Sequence, residues 1–521
     1  MAPRLLSHLL LMLALLAVAA PTRAQALWLE AGRPSAAARQ AVDALLAASG
    51  EGLDPRDYDA ARLDDRLRRA LTGPASDDVA GAQLDAALTA ALQRYLADLR
   101  GGRVDPRRIH ANFRVPRPTP LDARAYLRDA VARGRVAEAL RQAGPQVPMY
   151  TGLRKALAYY RALSGHPAWQ AQLPPLPARK LVPGQPWDGL PLLTQRLQAV
   201  GDLPASISEP VRLEGALLAA LLAFQERHGL APDGILGAAT LAQLDVTPKA
   251  RARQIELAME RLRWTPLLQG PRMVVVNVPE FMLRAYEVRE GRVEVSLTMK
   301  VIVGKAMDTR TPLFDELLRA IEFSPYWNVP PSIARAEIVP RLRRDPAYFA
   351  QQGFEFVTSG GQIVTALSGA HLDAVLEGGW RIRQRPGPNN ALGDIKFVFP
   401  NRNNIYLHHT PATWLFDRER RDLSHGCIRV ESPVALARFV LSDEPEWTDQ
   451  RIRDAMGQGE SGTLRLKQPL PVLIAYSTVV VKGSRVFFLS DLYGHDRLLD
   501  QALRERSGVL GRSRPAPPGV P

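Results

Sequence analysis

The sequence predicts a multidomain α+β protein: a helical N-terminal scaffold, a small three-helix module, and a mainly β C-terminal domain carrying an insertion. Three observations predict it. The chain has 521 residues, about three domains at roughly 100–200 residues each. Ala and Leu recur at helical spacing in 36–48, 84–99 and 125–140. From Arg272 the period changes, and branched residues in 273–278 and 293–303 read as strands. Hydrophobic residues make up 46% and charged residues 23%, so the domains can bury real cores.

Taken in order, the first segment reads as an export signal. Arg4 supplies the positive start, 5–20 is mostly apolar, Pro21 breaks the run, and Ala24-Gln25-Ala26 offers a small-residue cleavage site. The run is interrupted by Ser7 and His8 and is short for a membrane span, which needs about 18–20 apolar residues. The expectation is a signal peptide over 1–26 and an exported, soluble, periplasmic protein; retention of the segment as an anchor is the alternative. Residues 27–175 read as a helical scaffold domain, in which His110 and His166 stand alone and read as structural. Pro-rich 174–186 reads as a linker.

The next module occupies 187–248. One helix is marked by Leu192, Leu193 and Leu197, and a second by 213–224. Asp233-Gly234 and Gly237 are turn residues, and Thr240 sits just inside a third helix. The β domain spans 270–496, with further strands at 395–399, 404–408, 472–481 and 485–489. Charged, mixed sequence at 340–380 marks the insertion. The segment 504–521, ending in Pro515-Ala516-Pro517-Pro518, reads as a disordered tail.

Lys+Arg number 67 against 53 Asp+Glu, giving a net charge of +14. That balance suits nucleic acid, a membrane surface or an anionic polymer. No nucleic-acid motif accompanies it, which argues against the first. A single cysteine, Cys427, excludes an intrachain disulfide and any multi-cysteine metal cluster.

That cysteine lies in Ser424-His425-Gly426-Cys427-Ile428-Arg429, shortly after Leu407-His408-His409-Thr410-Pro411. A thiol becomes a strong nucleophile as thiolate, and a nearby imidazole removes or stabilises its proton. The N–H groups of Gly426 and Cys427 are candidates for an oxyanion site. Ser432-Pro433 reads as the start of a helix over 434–441 whose positive end favours the thiolate. A buried inert cysteine is one alternative. A zinc site on His408, His425 and Cys427 is another, but His425 and Cys427 are too close in sequence and no fourth ligand is evident.

The stretch F-Q-x-x-H-G-L-x-x-D-G-x-x-G-x-x-T-L, residues 224–241, resembles the small three-helix peptidoglycan-binding domain. S-H-G-C-I-R with its upstream L-H-x-T-P resembles the signature of the L,D-transpeptidase catalytic domain, the YkuD-like fold. The blocks Ile321-Glu322-Phe323-Ser324-Pro325-Tyr326-Trp327-Asn328-Val329-Pro330-Pro331 and 383–396 narrow the resemblance. With the helical scaffold and wall-binding module, the chain resembles the YcbB-type murein L,D-transpeptidases.

The resemblance implies Cys427 as nucleophile and His408 as base, serving first the thiol and later the acceptor amine. His425 would help shape the site, and Arg429 would bind a carboxylate or brace the loop. His409, where the family is often small or acidic, would point to the other face of the strand. Tyr326, Trp327 and Asn390 are candidate substrate contacts, with a core role open for Trp327 and Tyr326. The 340–380 insertion would be a capping subdomain over the site. No metal or organic cofactor is implied. The expected partners are peptidoglycan stem peptides and the anionic wall polymer, with other cell-wall synthesis enzymes as further candidates. The expected reaction is 3→3 cross-linking through a thioester. The alternatives are transfer to water, attachment of a protein amine, or a non-catalytic wall-binding scaffold.

Overall fold

The computed structural model describes residues 26–73, 78–110, 113, 121–208, 210–265 and 270–512. The expected signal segment lies outside them, apart from its last residue. Among the described residues no helix is long and apolar enough to cross a membrane.

The chain forms two compact units. Among the described residues, the first comprises 26–49, 53–73, 78–99 and 121–144. It pairs two short strands, β1 (Leu29–Glu30) and β2 (Arg33–Pro34), with helices that include Ala36–Leu46, Ala60–Thr72 and Ala123–Ala132. Its core holds Trp28, Leu45, Tyr58, Leu88 and Leu92. Two buried polar tips are satisfied inside it: Trp28 Nε1 donates to Thr89 Oγ1 and Tyr58 Oη to Asp98.

The second unit holds the rest. The scaffold domain expected over 27–175 therefore ends early, because helix Pro148–Ala162 belongs here. Its buried face, Leu153, Leu157 and Tyr160, packs on Ile255, Ala258 and Met259 of helix Pro248–Trp264 and on Val479 and Phe488. The small module forms helices Leu190–Ala199, Gly215–Arg227 and Ala238–Asp245. Gln225 ties its turn together: Nε2 donates to Asp233, and Oε1 accepts the Gly234 N–H.

The β domain begins with β3 (Arg272–Asn277), β4 (Met282–Arg289), β5 (Arg292–Gly304) and β6 (Phe314–Phe323). After the insertion come β11 (Ile395–Val398), β12 (Leu407–His408), β13 (Asp422–Ser424), β14 (Ile428–Val430) and β15 (Gly462–Ala475). The sheet order is β13-β5-β14-β12-β11-β6-β15-β3-β4, and β4 pairs again with β5. Eight strands thus close into a barrel, which removes the sheet edges. Ile321, Phe397, Leu407 and Ile428, paired in register across four strands, share the inner face and are fully buried.

The insertion is larger than 340–380. Its first strand, β7 (Trp327–Asn328), pairs with its last, β10 (Arg381–Gln384), and β8 (Phe354–Val357) and β9 (Ile363–Val364) complete a four-stranded sheet. Short helices between 331 and 376 cover it around Ile338, Leu342, Phe356 and Ile382. The charged stretch marks only its outer part.

After β15, a hairpin of β16 (Val479–Lys482) and β17 (Arg485–Phe488) leads to a helix over His495–Arg512. The disordered tail expected from 504 is corrected here. Leu499 and Leu503, one helical turn apart, are buried in the barrel core and carry the helix past 504. Residues 513–521 lie outside the described residues.

Candidate active site

Strands β11, β12 and β14 run side by side, and paired residues in a sheet point to the same face. Lys396 pairs with Glu322 on one side and His408 on the other, and His408 pairs with Arg429. These four therefore project from the outer face of the barrel. Tyr406 and Cys427, two residues before His408 and Arg429, continue the same register. Charge interactions link the cluster: the Cys427 thiol feels Lys396 and Arg429, and His408 feels Arg429.

The four-residue turn presenting Cys427 is pinned from all sides. Ser424 Oγ donates to the Cys427 carbonyl at 2.5 Å and accepts the Gly426 N–H at 3.1 Å. Thr309 Oγ1 donates to the Ser424 carbonyl, and Thr311 Oγ1 to that of Gly426. Gly426 has φ +113°, and a Cβ there would lie 3.1 Å from Ile405 Cδ1, so the turn needs glycine. The Gly426 N–H is engaged inside the turn, which corrects its expected place in the oxyanion site. The Cys427 N–H has no acceptor among the described residues.

The expected helix starts at Pro433 and runs to Val440. Strand β14 stands between it and Cys427 in the chain, three residues that span roughly 10 Å when extended. A helix dipole acts only within its terminal turn. Burial pushes the Cys427 thiol above its ordinary value, although the Tyr406 backbone N–H, Lys396 and Arg429 oppose this. The thiol donates to the Asn404 carbonyl at 3.6 Å. Asn404 has φ +52°, which is why the strand expected over 404–408 shortens to Leu407–His408. Asn401 holds this loop: its Oδ1 accepts from Asn403 and Ile405, and its Nδ2 donates to Phe399 and Ile405 carbonyls.

His408 is 4% exposed. Burial, then the Arg429 charge, pushes it down to about 3, against hydrogen bonds to the His409 and Leu392 backbone. Its Nδ1 lies 2.6 Å from the His409 carbonyl. A carbonyl only accepts, so Nδ1 carries the proton and Nε2 is left as the basic nitrogen. His409 turns the other way: its Nδ1 meets Asp394 Oδ1 at 2.6 Å, and its ring lies against Gly393. A Cβ on Gly393, which has φ +64°, would sit 2.7 Å from that ring nitrogen.

Arg429 is half-buried, and its Nε is buried without a hydrogen-bond partner among the described residues. Burial lowers its guanidinium, while the nearby Cys427 charge would raise it. Lys396 Nζ bonds Glu322 at 2.9 Å and sits 4.1 Å over the Tyr406 ring. His425 Nε2 lies 2.5 Å from Glu337 Oε1, in the single π-helical turn Ala334–Ile338 of the insertion.

Three candidates are placed elsewhere. Asn390 is buried, with Nδ2 donating to the Pro325 and Arg385 carbonyls and Oδ1 accepting the Leu392 N–H. These bonds brace the loop. Trp327 packs against the insertion core, and the Arg383 guanidinium stacks 4.1 Å over Tyr326. Among the described residues no contact ties either to Cys427. No group of three or more His, Cys, Asp or Glu side chains that could hold a metal gathers among them either. Ser424, Thr309, Thr311, Lys396, Tyr406, Asn401 and Glu337 were not foreseen as site residues, although Ser424 stood inside the cysteine motif, Lys396 at the end of the 383–396 block and Tyr406 at the head of the histidine motif.

Residues 271–474 match a family described as the L,D-transpeptidase catalytic domain. Residues 189–244 match a "Putative peptidoglycan binding domain" and 20–157 a "Scaffold domain". A Haemophilus influenzae protein named "Putative L,D-transpeptidase" is 30% identical over 250 residues, 48% of this chain and 49% of that protein. The chain thus spans about half the length of that relative. Among solved structures, an L,D-transpeptidase from Xylanimonas cellulosilytica is 16% identical, covering 58% of this chain and 100% of that one, with a TM-score of 0.18. A fused Zn-dependent amidase/peptidase/peptidoglycan-binding protein from Clostridium acetobutylicum is 11% identical, covering 57% and 99%, with a TM-score of 0.17. Over residues 271–474 the chain is therefore similar to the YkuD-type L,D-transpeptidase catalytic domain, and over 189–244 to a peptidoglycan-binding module.

Proposed function

We propose that the protein is an exported cysteine transpeptidase that forms 3→3 peptidoglycan cross-links. The observation that carries this reading is that the chain's only thiol and a buried imidazole with its proton on Nδ1 project from one outer face of the barrel. Cys427 Sγ attacks the carbonyl between the third, diaminoacyl residue and the terminal D-Ala of a tetrapeptide stem. His408 Nε2 takes the thiol proton and returns it to the departing amine as the C–N bond breaks. A thioester remains. The Cys427 N–H faces the developing oxyanion. Arg429, which has no carboxylate partner among the described residues, receives a substrate carboxylate. The side-chain amine of a second stem then displaces the thiol. The insertion, reaching the site through Glu337, acts as its cap.

A raised thiol beside a lowered imidazole makes the resting pair neutral, so proton transfer accompanies attack rather than preceding it. Alkylation by iodoacetamide follows thiolate fraction, which grows tenfold per pH unit below the thiol's pKa. Because that pKa lies above its ordinary value, the rate of Cys427 alkylation should keep climbing through pH 9. A plateau reached near neutrality would show a preformed thiolate and contradict the neutral pair.

The reading is tested by trapping the acyl-enzyme. A nucleophile that accepts a stem acyl group should also open a strained β-lactam, and the family resemblance favours a carbapenem. Intact-protein mass spectrometry should show one drug-sized adduct, mapped by digestion to the peptide containing Cys427. Labelling elsewhere, or none at millimolar drug, would count against the proposed site.

A further inference from the structure

The thioester must be resolved by an amine arriving from outside, and a neutral amine attacking a carbonyl has a proton to lose. His408 serves the thiol and the departing amine in acylation, and it is 4% exposed with its ring between backbone groups of His409 and Leu392. The other imidazole of the site has the opposite setting. The His425 side chain is 33% exposed, and the residue lies two positions from Cys427 across a turn held by Ser424. The two Cα atoms are therefore within about 7 Å.

Its Nε2 lies 2.5 Å from Glu337 Oε1. An ionised carboxylate only accepts, so Nε2 carries the ring proton and Nδ1 holds the lone pair. Nδ1 has no partner among the described residues. Glu337 comes from the insertion, 88 residues from His425 in sequence, so nothing local forces the contact. As an exposed hydrogen bond it stabilises the fold little. Its effect is to fix one tautomer and one ring orientation beside the thioester carbon, the part a carboxylate plays behind many basic histidines.

We infer that Glu337 is a positioning residue for the second half-reaction. It holds His425 so that Nδ1 accepts a proton from the incoming amine. The amine nitrogen bonds the thioester carbon, the C–S bond breaks, and the proton passes through Nδ1 to the departing sulfur. Products are the new amide and the free Cys427 thiol, with nothing oxidised or reduced. Acylation and deacylation thus use different imidazoles, His408 for the thiol and His425 for the acceptor. This rests on the thioester reading above.

The test separates the two halves in the full-length protein. Glu337→Ala and Glu337→Gln are mixed with a tetrapeptide donor, with and without an amino-acid amine acceptor, and followed by intact mass and product release. In wild type the Cys427 adduct should form and clear. In Glu337→Ala it should form within about twofold of the wild-type rate but clear about 10–100-fold more slowly, so that the adduct accumulates. Glu337→Gln, which keeps an acceptor oxygen but no charge, should fall between. His425→Ala should accumulate the adduct too, and adding Glu337→Ala to it should change little, because both act as one unit. Adduct clearance at the wild-type rate in Glu337→Ala would overturn the inference, as would slowing of formation and clearance to the same degree. A wild-type protein with no adduct on Cys427 would instead overturn the thioester reading and this inference with it.

Discussion

Cys427→Ala is expected to fold normally and to form no cross-links. The side chain is half-buried at the rim of the barrel core, and its hydrogen bond is a long one to the Asn404 carbonyl. Removing one sulfur there should cost about 1 kcal/mol of stability. The turn survives because Ser424, Thr309 and Thr311 hold backbone atoms, not the thiol. Chemistry is another matter, since the chain has no second cysteine. Loss of a nucleophile typically lowers turnover by about 10⁴-fold or more. Retained product formation by a folded Cys427→Ala protein, checked by circular dichroism, would sink the mechanism.

His408→Ala should slow acylation by about 10²–10⁴-fold, the usual worth of a positioned general base. His409→Ala should do far less. The two histidines are adjacent, so strand alternation sends them to opposite faces, and the register of His408 with Arg429 puts the first on the face that also carries Cys427. The contribution of position 409 to the dyad is its carbonyl, which receives His408 Nδ1–H. An alanine keeps that carbonyl and loses only the ring bonded to Asp394. Acylation rates for both variants, each shown to be folded, decide the matter. A crippled His409→Ala beside an active His408→Ala would mean that the register is off by one.

Local pattern carried much of this architecture into the sequence. The change from helical to alternating period at Arg272, the turn residues around Asp233-Gly234, and the clustering of Cys427 with His408 all reflect neighbours along the chain. The site's finer wiring depends on neighbours in space. Ser424 engages the Gly426 N–H through a side-chain rotamer that no motif encodes. Asn390 looked like a cleft residue because Asn-rich loops often line clefts, yet burial commits all its polar atoms to backbone. The helix at Pro433 has the residues for a dipole effect, with β14 between it and the thiol along the chain. Glu337 lay just before the stretch that reads as an insertion, in sequence that carried no signal of its own. The terminal helix was hidden by the Pro-rich end, although Leu499 and Leu503 already stood at helical spacing.

The most direct test of the whole account is mass spectrometry of muropeptides after purified protein is incubated with wall fragments rich in tetrapeptide stems. The account predicts a new dimer whose mass equals two tetrapeptide monomers less one alanine. Fragmentation should place its bond between the two third residues, and release of D-Ala should match dimer formed. Shortened stems without any dimer would show water as the acceptor and contradict the cross-linking reading. Unchanged muropeptides would contradict the enzyme itself.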